Sequence, residues 1–227
     1  MIDYSLTRSK RKTIALYVRR GIVDVRAPLR TPKHEIDRFV ASKDKWIKNK
    51  LTCLNERAES RESFSLDYGD MILYRGMLYP IVQRIGSRAV FDGDFFCVPP
   101  GLSPEEIKTA CIRLYKKLAK QNLNEKVHRF AEQLSVQPLA VKVNSAKTRW
   151  GSCSAKKSLN FSWRLIMADD GVIDYVVVHE LAHLIELNHS KRFWAVILSI
   201  LPDYKERQKQ LKSLQEKLAG EDWENNG

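Results

Sequence analysis

The sequence contains no apolar run that approaches the roughly 18–20 residues needed to span a bilayer. Its first five residues lack an apolar signal segment, so we expect a soluble, cytoplasmic protein with no membrane partner. The four cysteines form no Cys-x-x-Cys pair, which argues against a disulfide framework or a cysteine zinc site. No internal repeat and no P-loop is present, which excludes repeat architectures and one large class of nucleotide-binding proteins.

The composition is that of a globular protein with a substantial core. Of 227 residues, 44% are hydrophobic and 29% are charged, values that exclude a largely disordered chain. The net charge is +12, and residues 1–60 carry most of it, with 15 Lys or Arg against 7 Asp or Glu. Residues 151–227 hold 10 basic residues against 11 acidic ones. The basic front therefore suggests weak nucleic-acid binding, or serves solubility alone.

Strand patterns come first along the chain and helical patterns later, which predicts an α+β fold. We expect a basic hairpin-and-helix part over 1–60, a β-rich segment over 61–100, a catalytic core over 101–219 and a loose tail over 220–227.

Local signals place several elements. Alternating β-branched residues predict a hairpin from 13–18 and 21–27, and helical spacing of apolar residues follows from Ile36 to Leu54. The polar stretch 55–66 is interpreted as a linker. Ser103-Pro-Glu-Glu predicts a capped helix running to about 135, with a break near Asn122. Further helices are expected over about 171–187, after Ser190, and over about 203–218.

Residues 179–189 read His-Glu-Leu-Ala-His-Leu-Ile-Glu-Leu-Asn-His and contain the motif His-Glu-x-x-His. On a helix, His179 and His183 share one face, so both imidazoles can bind one Zn²⁺. Glu180 starts from the next position round the helix. It can reach a zinc-bound water without binding the metal, which is the position of a general base.

His189 is the candidate for the third ligand. Ten residues of continuous helix rise about 15 Å, which is too far from His179 to share a metal. The helix must therefore end and the chain turn back. Asn188 suits such a turn because asparagine tolerates the left-handed conformation, and Ser190 could cap the next helix. The predicted metal ligands are His179, His183 and His189.

Several other side chains are candidates for the surroundings of the metal. Gly151 would let a strand or loop approach the metal closely, and Trp150 either walls the cleft or lies in the core. Glu186 is either a partner of the ligands or a solvated helix end. Candidate stabilisers of a developing oxyanion are Arg149, Arg164 and Tyr204. Cys153 is not expected to be a nucleophile, since the nearby histidines are committed to metal.

The residues after the third histidine, His-Ser-Lys-Arg-Phe-Trp at 189–194, resemble the signature of SprT-like and WLM-type zincins. Residues 147–154 and 159–165, with Arg8-Ser-Lys-Arg-Lys-Thr and Lys45-Trp-Ile, resemble the YgjP-like branch over nearly the whole chain. The resemblance implies a gluzincin-like zincin core and a metal-dependent hydrolase, usually a metallopeptidase. It also implies that the three histidines bind zinc and that Glu180 is catalytic.

Three functions remain open from the sequence. The first is a zinc-dependent peptidase in which Glu180 takes a proton from a zinc-bound water. The second is a metal-dependent nucleoside triphosphate pyrophosphatase, in which the basic front would hold phosphate groups. The third is a nucleic-acid-associated, SprT-like protease module.

Overall fold

The structure is a computed structural model that describes residues 2–19 and 21–223. The chain folds into two compact units. The first comprises residues 1–64 and 219–222, and the second comprises residues 65–218 together with Trp223. The predicted α+β class with a β-rich N-terminal part is confirmed. The predicted four-part division stays a prediction, and residues 224–227 of its tail lie outside the described residues.

The first unit contains β1 (Ser5–Ser9), β2 (Ala15–Arg19), β3 (Ile22–Pro28), α1 (Lys33–Ser42) and α2 (Asp44–Glu62). The second begins with β4 (Met71–Tyr74), β5 (Met77–Gln83), β6 (Val90–Phe91), β7 (Phe96–Val98), α3 (Pro104–Gln133), β8 (Ala140–Asn144), β9 (Gly151–Cys153) and β10 (Ser158–Ser162). It continues with a 3₁₀ helix (Trp163–Met167), α4 (Asp170–Ala182), α5 (Lys191–Ile200) and α6 (Tyr204–Leu218).

The first unit is built on a three-stranded sheet of order β1-β3-β2. The predicted hairpin is present as the antiparallel pair of β2 and β3. β1, which the sequence analysis missed, runs parallel to β3 on its other side. Alternate β3 residues point inward with Ile36, Val40 and Ile47 of the helices to form a local core. The unit therefore has its own hydrophobic centre.

Two predictions for this unit were wrong. The helical pattern from Ile36 to Leu54 is divided between α1 and α2, and α2 continues to Glu62 through most of the stretch interpreted as a linker. That stretch contains three Glu, two Arg and Ala58, which are good helix formers. Its polarity determines its exposure to solvent and not its backbone conformation.

The second unit contains two sheets, one of order β4-β5-β7-β6 and one of order β8-β10-β9. The long helix α3 begins at the predicted capping box, in which Ser103 and Glu106 exchange hydrogen bonds with each other's backbone N–H. The predicted break near Asn122 is absent, because α3 is continuous and its apolar side is buried there, including Leu123. Burial outweighs the weak helix preference of asparagine.

α4 is a buried helix that carries β-branched residues through most of its length. Those that are buried are Val172, Ile173, Val176, Val177 and Val178. Such residues have modest helix propensity, so burial of their side chains, and not local preference, is what stabilises this helix. Asp169 caps its N-terminus by accepting a hydrogen bond from the N–H of Gly171 at 2.8 Å.

A network of charged side chains fixes the start of α4. Arg75, in the turn between β4 and β5, donates to Asp170. Lys126 of α3 is buried and lies 2.6 Å from Asp174 and 3.3 Å from Asp170. Arg129, also on α3, donates to Asp174 at 3.0 Å. Burial alone would raise the pKa of Asp170, but the hydrogen bonds from Arg75 and the charge of Lys126 hold it below its ordinary value.

Asp170→Asn is expected to lower the free energy of unfolding at pH 7 by about 0.5–1 kcal/mol, the range for partly solvated ion pairs. The pKa of Asp170 in the folded protein lies below its unfolded value near 4, so the ionised carboxylate stabilises the folded state when the pH is above about 4. This contribution is lost as the pH falls through the folded-state pKa. Urea unfolding at pH 7 and pH 3.5 checks this: the difference between wild type and variant should shrink at the lower pH. Asp94→Asn, at an exposed turn, is the control, and a difference that grew on acidification would contradict the assignment.

The end of the described chain is partly anchored. Trp223, assigned from the sequence to a loose tail, is 3% exposed. Its ring meets the rings of Tyr115 and Trp163 edge to face, with centroids 5.5 and 6.0 Å away. In the part of the chain that the structure describes, no helix combines the length and the apolar character needed to cross a membrane.

Candidate metal centre

The His-Glu-x-x-His segment lies at the C-terminal end of α4. His179 is in the last turn, and His183 is the residue that ends the helix while still in a helical conformation. α4 ends at Ala182, about one turn earlier than the predicted end near 187. The two histidines stay on one face because His183 keeps a helical backbone, and the early end lets the chain reverse at once.

The reversal brings His189 back beside the helix. The backbone N–H groups of Ile185 and Glu186 bond to the carbonyl of Ala182, and the N–H of Ser190 bonds to the carbonyl of Asn188 at 2.7 Å. Asn188 does not adopt the left-handed conformation that was predicted for it, since the non-glycine residues of positive φ lie elsewhere. Ser190 caps α5 by accepting from the N–H of Phe193 at 3.3 Å, as expected from the sequence.

The three imidazoles form a nearly equilateral cluster. Their ring centroids lie 5.1 Å apart for His179 and His183, 5.0 Å for His179 and His189, and 4.9 Å for His183 and His189. One nitrogen of each ring lies within 4.8 Å of the other two, and the Nε2 atoms of His179 and His189 are 3.1 Å apart. These are the predicted ligand residues, brought together by the turn between α4 and α5.

Glu180 follows His179 in α4 but is not a member of this cluster. Its side chain is 6% exposed and lies against β9. A Cβ built on Gly151 would stand 2.6 Å from Oε1, 2.7 Å from Cγ and 2.9 Å from Cδ of Glu180. Only a glycine leaves room for the carboxylate at this point. Gly151 was predicted to approach the metal; the close contact that the structure gives is with Glu180.

Burial shifts the pKa values of the central groups. It raises the pKa of Glu180 to about 7, against the opposing effects of the positive charge of Arg149 and of a hydrogen bond from the backbone of Cys153. Burial, with the charges of His183 and His189, lowers the pKa of His179 to about 4. Burial also lowers the pKa of His183. His179 and His183 are therefore neutral at pH 7, the form that binds metal ions.

Aromatic side chains surround the histidines on one side. Phe193 of α5 is fully buried, and its ring centroid lies 5.0, 4.6 and 4.7 Å from those of His179, His183 and His189. Trp194 stacks on His189, and Tyr175 meets His179 edge to face at 5.8 Å. Tyr175 was not predicted to be part of the site, although its position four residues before His179 on the same helix is a usable signal.

The other predicted side chains differ in what they contact. Glu186 supports the site through its backbone, whose carbonyl lies 3.3 Å from Nδ1 of His183, while its carboxylate lies 3.9 Å from Arg192. Arg164 donates to the carbonyl of Ser145 and lies over the ring of Trp163, two contacts made away from the histidines.

The thiol of Cys153 is not activated as a nucleophile. Burial, and then the charge of Glu180, raises its pKa and disfavours the nucleophilic thiolate.

The residues present fit a bound divalent ion. Three imidazole nitrogens are a donor set that zinc favours, and ligands of a tetrahedral zinc lie about 3.3 Å from one another. The 3.1 Å separation of the Nε2 atoms of His179 and His189 is close to that value. The buried Nδ1 of His179 has no hydrogen-bond partner among the described residues, so ring packing fixes this imidazole.

Three clustered imidazoles, and a buried Glu that follows the first of them in the chain, are side chains used by metal-dependent hydrolases. The chain belongs to the YgjP-like family, whose metallopeptidase-domain model matches residues 12–214. The family resemblance and the prediction of a metal-dependent hydrolase are thereby confirmed.

Two solved structures are similar to part of the chain. The metallopeptidase zymogen of Pyrococcus abyssi abylysin is 21% identical, with a TM-score of 0.38, over 40% of this chain and 92% of that one. The metallopeptidase zymogen of Methanocaldococcus jannaschii jannalysin is 20% identical, with a TM-score of 0.37, over 42% of this chain and 96% of that one. A comparison with curated proteins finds no match.

Proposed function

We propose that this chain is a zinc-dependent peptidase with a zincin-like catalytic core, in which His179, His183 and His189 hold the metal and Glu180 is the general base. The observation that carries the proposal is the cluster of three imidazole nitrogens within 4.8 Å of one another, together with the buried Glu180 that follows His179 in the chain. Among the described residues, this is the only group of His, Cys, Asp or Glu side chains with such spacing.

The chain's own groups divide the chemistry among them. When bound, zinc supplies Lewis acidity, which acidifies water and polarises a carbonyl. The Glu180 carboxylate accepts a proton from the attacking water and passes it to the nitrogen of the leaving amine. Gly151 and the backbone N–H of Cys153 hold that carboxylate in place from the side of β9. The aromatic rings of Phe193 and Trp194 keep water from one side of the histidines.

β9 supports an extended peptide as the substrate. It pairs with β10 on one side and is the terminal strand of its sheet among the described residues. Its first residue, Gly151, contacts Glu180. A peptide that added to the outer edge of β9 through backbone groups other than the Cys153 N–H, which bonds to Glu180, would run past the general base. This arrangement recognises the peptide backbone and therefore an unfolded or flexible segment.

The test gives the zinc-loaded protein a mixture of unstructured peptides and, in parallel, nucleoside triphosphates. We expect peptide cleavage, detected by mass spectrometry, and no phosphate or pyrophosphate release. Release from nucleotides without peptide cleavage would overturn the peptidase and support the pyrophosphatase. Peptide cleavage only in the presence of DNA, with binding that weakens steeply as salt rises, would instead support the nucleic-acid-associated module.

Metal removal is expected to abolish cleavage. A chelator should lower the rate by at least about 10³-fold, and added Zn²⁺ should restore it, because the attacking water is then acidified again. His183→Ala should lose both bound zinc and activity, whereas His128→Ala should keep both, since His128 is exposed on α3 and pairs with Glu132. Elemental analysis of the purified proteins gives the zinc content. Full zinc binding by His183→Ala would contradict the ligand assignment.

A further inference from the structure

Like His179, whose buried Nδ1 has no partner among the described residues, His189 lacks the hydrogen bond that usually orients a metal-binding imidazole. Such a ring normally donates its second N–H to a carboxylate, a carbonyl or water. His183 has this support from the carbonyl of Glu186 at 3.3 Å. His189 lies on the turn between α4 and α5 and is exposed. The only polar contact of its ring among the described residues is with His179, at 3.1 Å.

An aromatic column takes the place of that hydrogen bond. The His189 ring stacks on Trp194, with centroids 5.7 Å apart and planes 25° apart. Trp194 in turn stacks on Tyr204, with centroids 5.4 Å apart and planes 20° apart. The three rings are nearly parallel and come from the turn, from α5 and from the first residue of α6. The Phe193 ring packs against His189 edge to face, with the two ring planes 81° apart. The His189 ring is therefore packed by Trp194 and by Phe193 from different directions.

The base of the column is fixed in turn. α6 has no buried residue, so apolar burial alone does not hold it. Arg207, one turn after Tyr204, donates to the carbonyl of Gly171 at 2.9 Å and to Asp203 at 3.0 Å. The guanidinium thus ties the start of α6 to the start of α4, the helix that carries His179 and His183. The position of Tyr204 is therefore coupled, through Arg207, to the helix that presents the other two histidines.

We infer that Trp194, backed by Tyr204, is the positioning residue for His189 and sets the metal affinity of the site. The inference rests on the proposed metal centre and adds to it a role for α6. Without the stack, the His189 ring would rotate and move on its turn, and binding a metal would have to restrict that motion. An aromatic stack of this kind corresponds to a few-fold to about tenfold in an equilibrium constant.

The test measures the zinc dissociation constant of the full chain by competition with a chromophoric chelator. Trp194→Leu is expected to bind zinc about tenfold more weakly, and Tyr204→Leu about threefold more weakly. Trp194→Phe keeps a stacking ring and should stay within about threefold of wild type. Ser199→Ala is the control, because Ser199 is exposed on the same helix, donates to the carbonyl of Val196 at 2.8 Å and is five residues from Trp194, a spacing that does not place two side chains on one helix face. Absorption of the Co²⁺-loaded proteins reports the coordination geometry, which a general loss of stability would not change.

The inference is supported if zinc binding weakens most in Trp194→Leu and less in Tyr204→Leu. Near-normal binding in Trp194→Phe and an altered Co²⁺ spectrum for Trp194→Leu would support it further. A folded Trp194→Leu protein with wild-type zinc affinity would overturn it. If Trp194→Leu does not fold, Tyr204→Leu decides, and unchanged affinity and spectrum in that variant would overturn it equally. His189→Ala separates the two proposals: wild-type affinity there would contradict the triad itself and leave Trp194 with no ligand to position.

Discussion

Glu180→Gln is expected to lower the rate of peptide cleavage by about 10³-fold while zinc stays bound. The amide has nearly the size of the carboxylate and fits the same buried space beside β9, but it cannot accept the proton of the attacking water. Because Glu180 does not belong to the cluster of ligand atoms, its replacement leaves the three imidazoles in place. The measurement is cleavage of one fluorogenic peptide at saturating substrate, with zinc content determined on the same samples.

Glu132→Gln is the matched control for this variant. Glu132 lies on α3, where its exposed carboxylate pairs with His128, and its loss should leave the rate unchanged. A Glu180→Gln protein that kept more than about a tenth of the wild-type rate with full zinc would exclude Glu180 as the general base. Loss of zinc in that variant would show instead that Glu180 supports the metal.

Gly151→Ala is expected to lower activity by about 100-fold and to destabilise the protein by about 1–3 kcal/mol, the usual effect of overpacking. The added methyl group would lie 2.6–2.9 Å from three atoms of Glu180, closer than non-bonded atoms approach. Either the carboxylate moves away from the histidines or β9 moves away from the helix. Both displacements misplace the general base relative to an edge-bound peptide. Small misplacements of this kind cost about 10²-fold in rate.

Gly86→Ala provides the comparison, since the nearest atom to its added methyl group is 4.0 Å away and its φ is not positive. That variant should match wild type in rate and in urea unfolding. The rate and the unfolding free energy are measured for both variants, with zinc content as a check on the histidines. Wild-type activity in Gly151→Ala would show that the contact with Glu180 has no part in catalysis.

The candidate site was largely predictable because its signal is local. His179 and His183 share a helix face through their spacing, and His189 is too far along the chain to join them unless the helix ends and the chain turns back. The prediction of Asn188 as a left-handed turn residue failed, because the reversal uses the carbonyls of Ala182 and Asn188 instead. Several hydrogen-bond patterns can reverse a chain over six residues, and the residue types do not choose among them.

The fold was predicted best where capping or strand alternation is strong. The capping box at Ser103 and the hairpin of β2 and β3 are both present. β1 was missed because its residues, Ser5–Ser9, are mostly exposed and lack apolar alternation. Its parallel pairing with β3 depends on a partner that lies far along the chain. The linker over 55–66 failed because polar residues are compatible with an exposed helix as well as with a loop.

By itself, the sequence determined the residue types available for metal binding, the helix face that presents two of them, and the α+β order of the elements. These follow from spacing and periodicity, which act over a few residues. The tertiary structure decided what lies against those residues: the β9 backbone at Glu180, and the column of Trp194 and Tyr204 beside His189. Such contacts join residues from 5 to about 30 positions apart, and their geometry depends on how helices and strands pack, which no local pattern specifies.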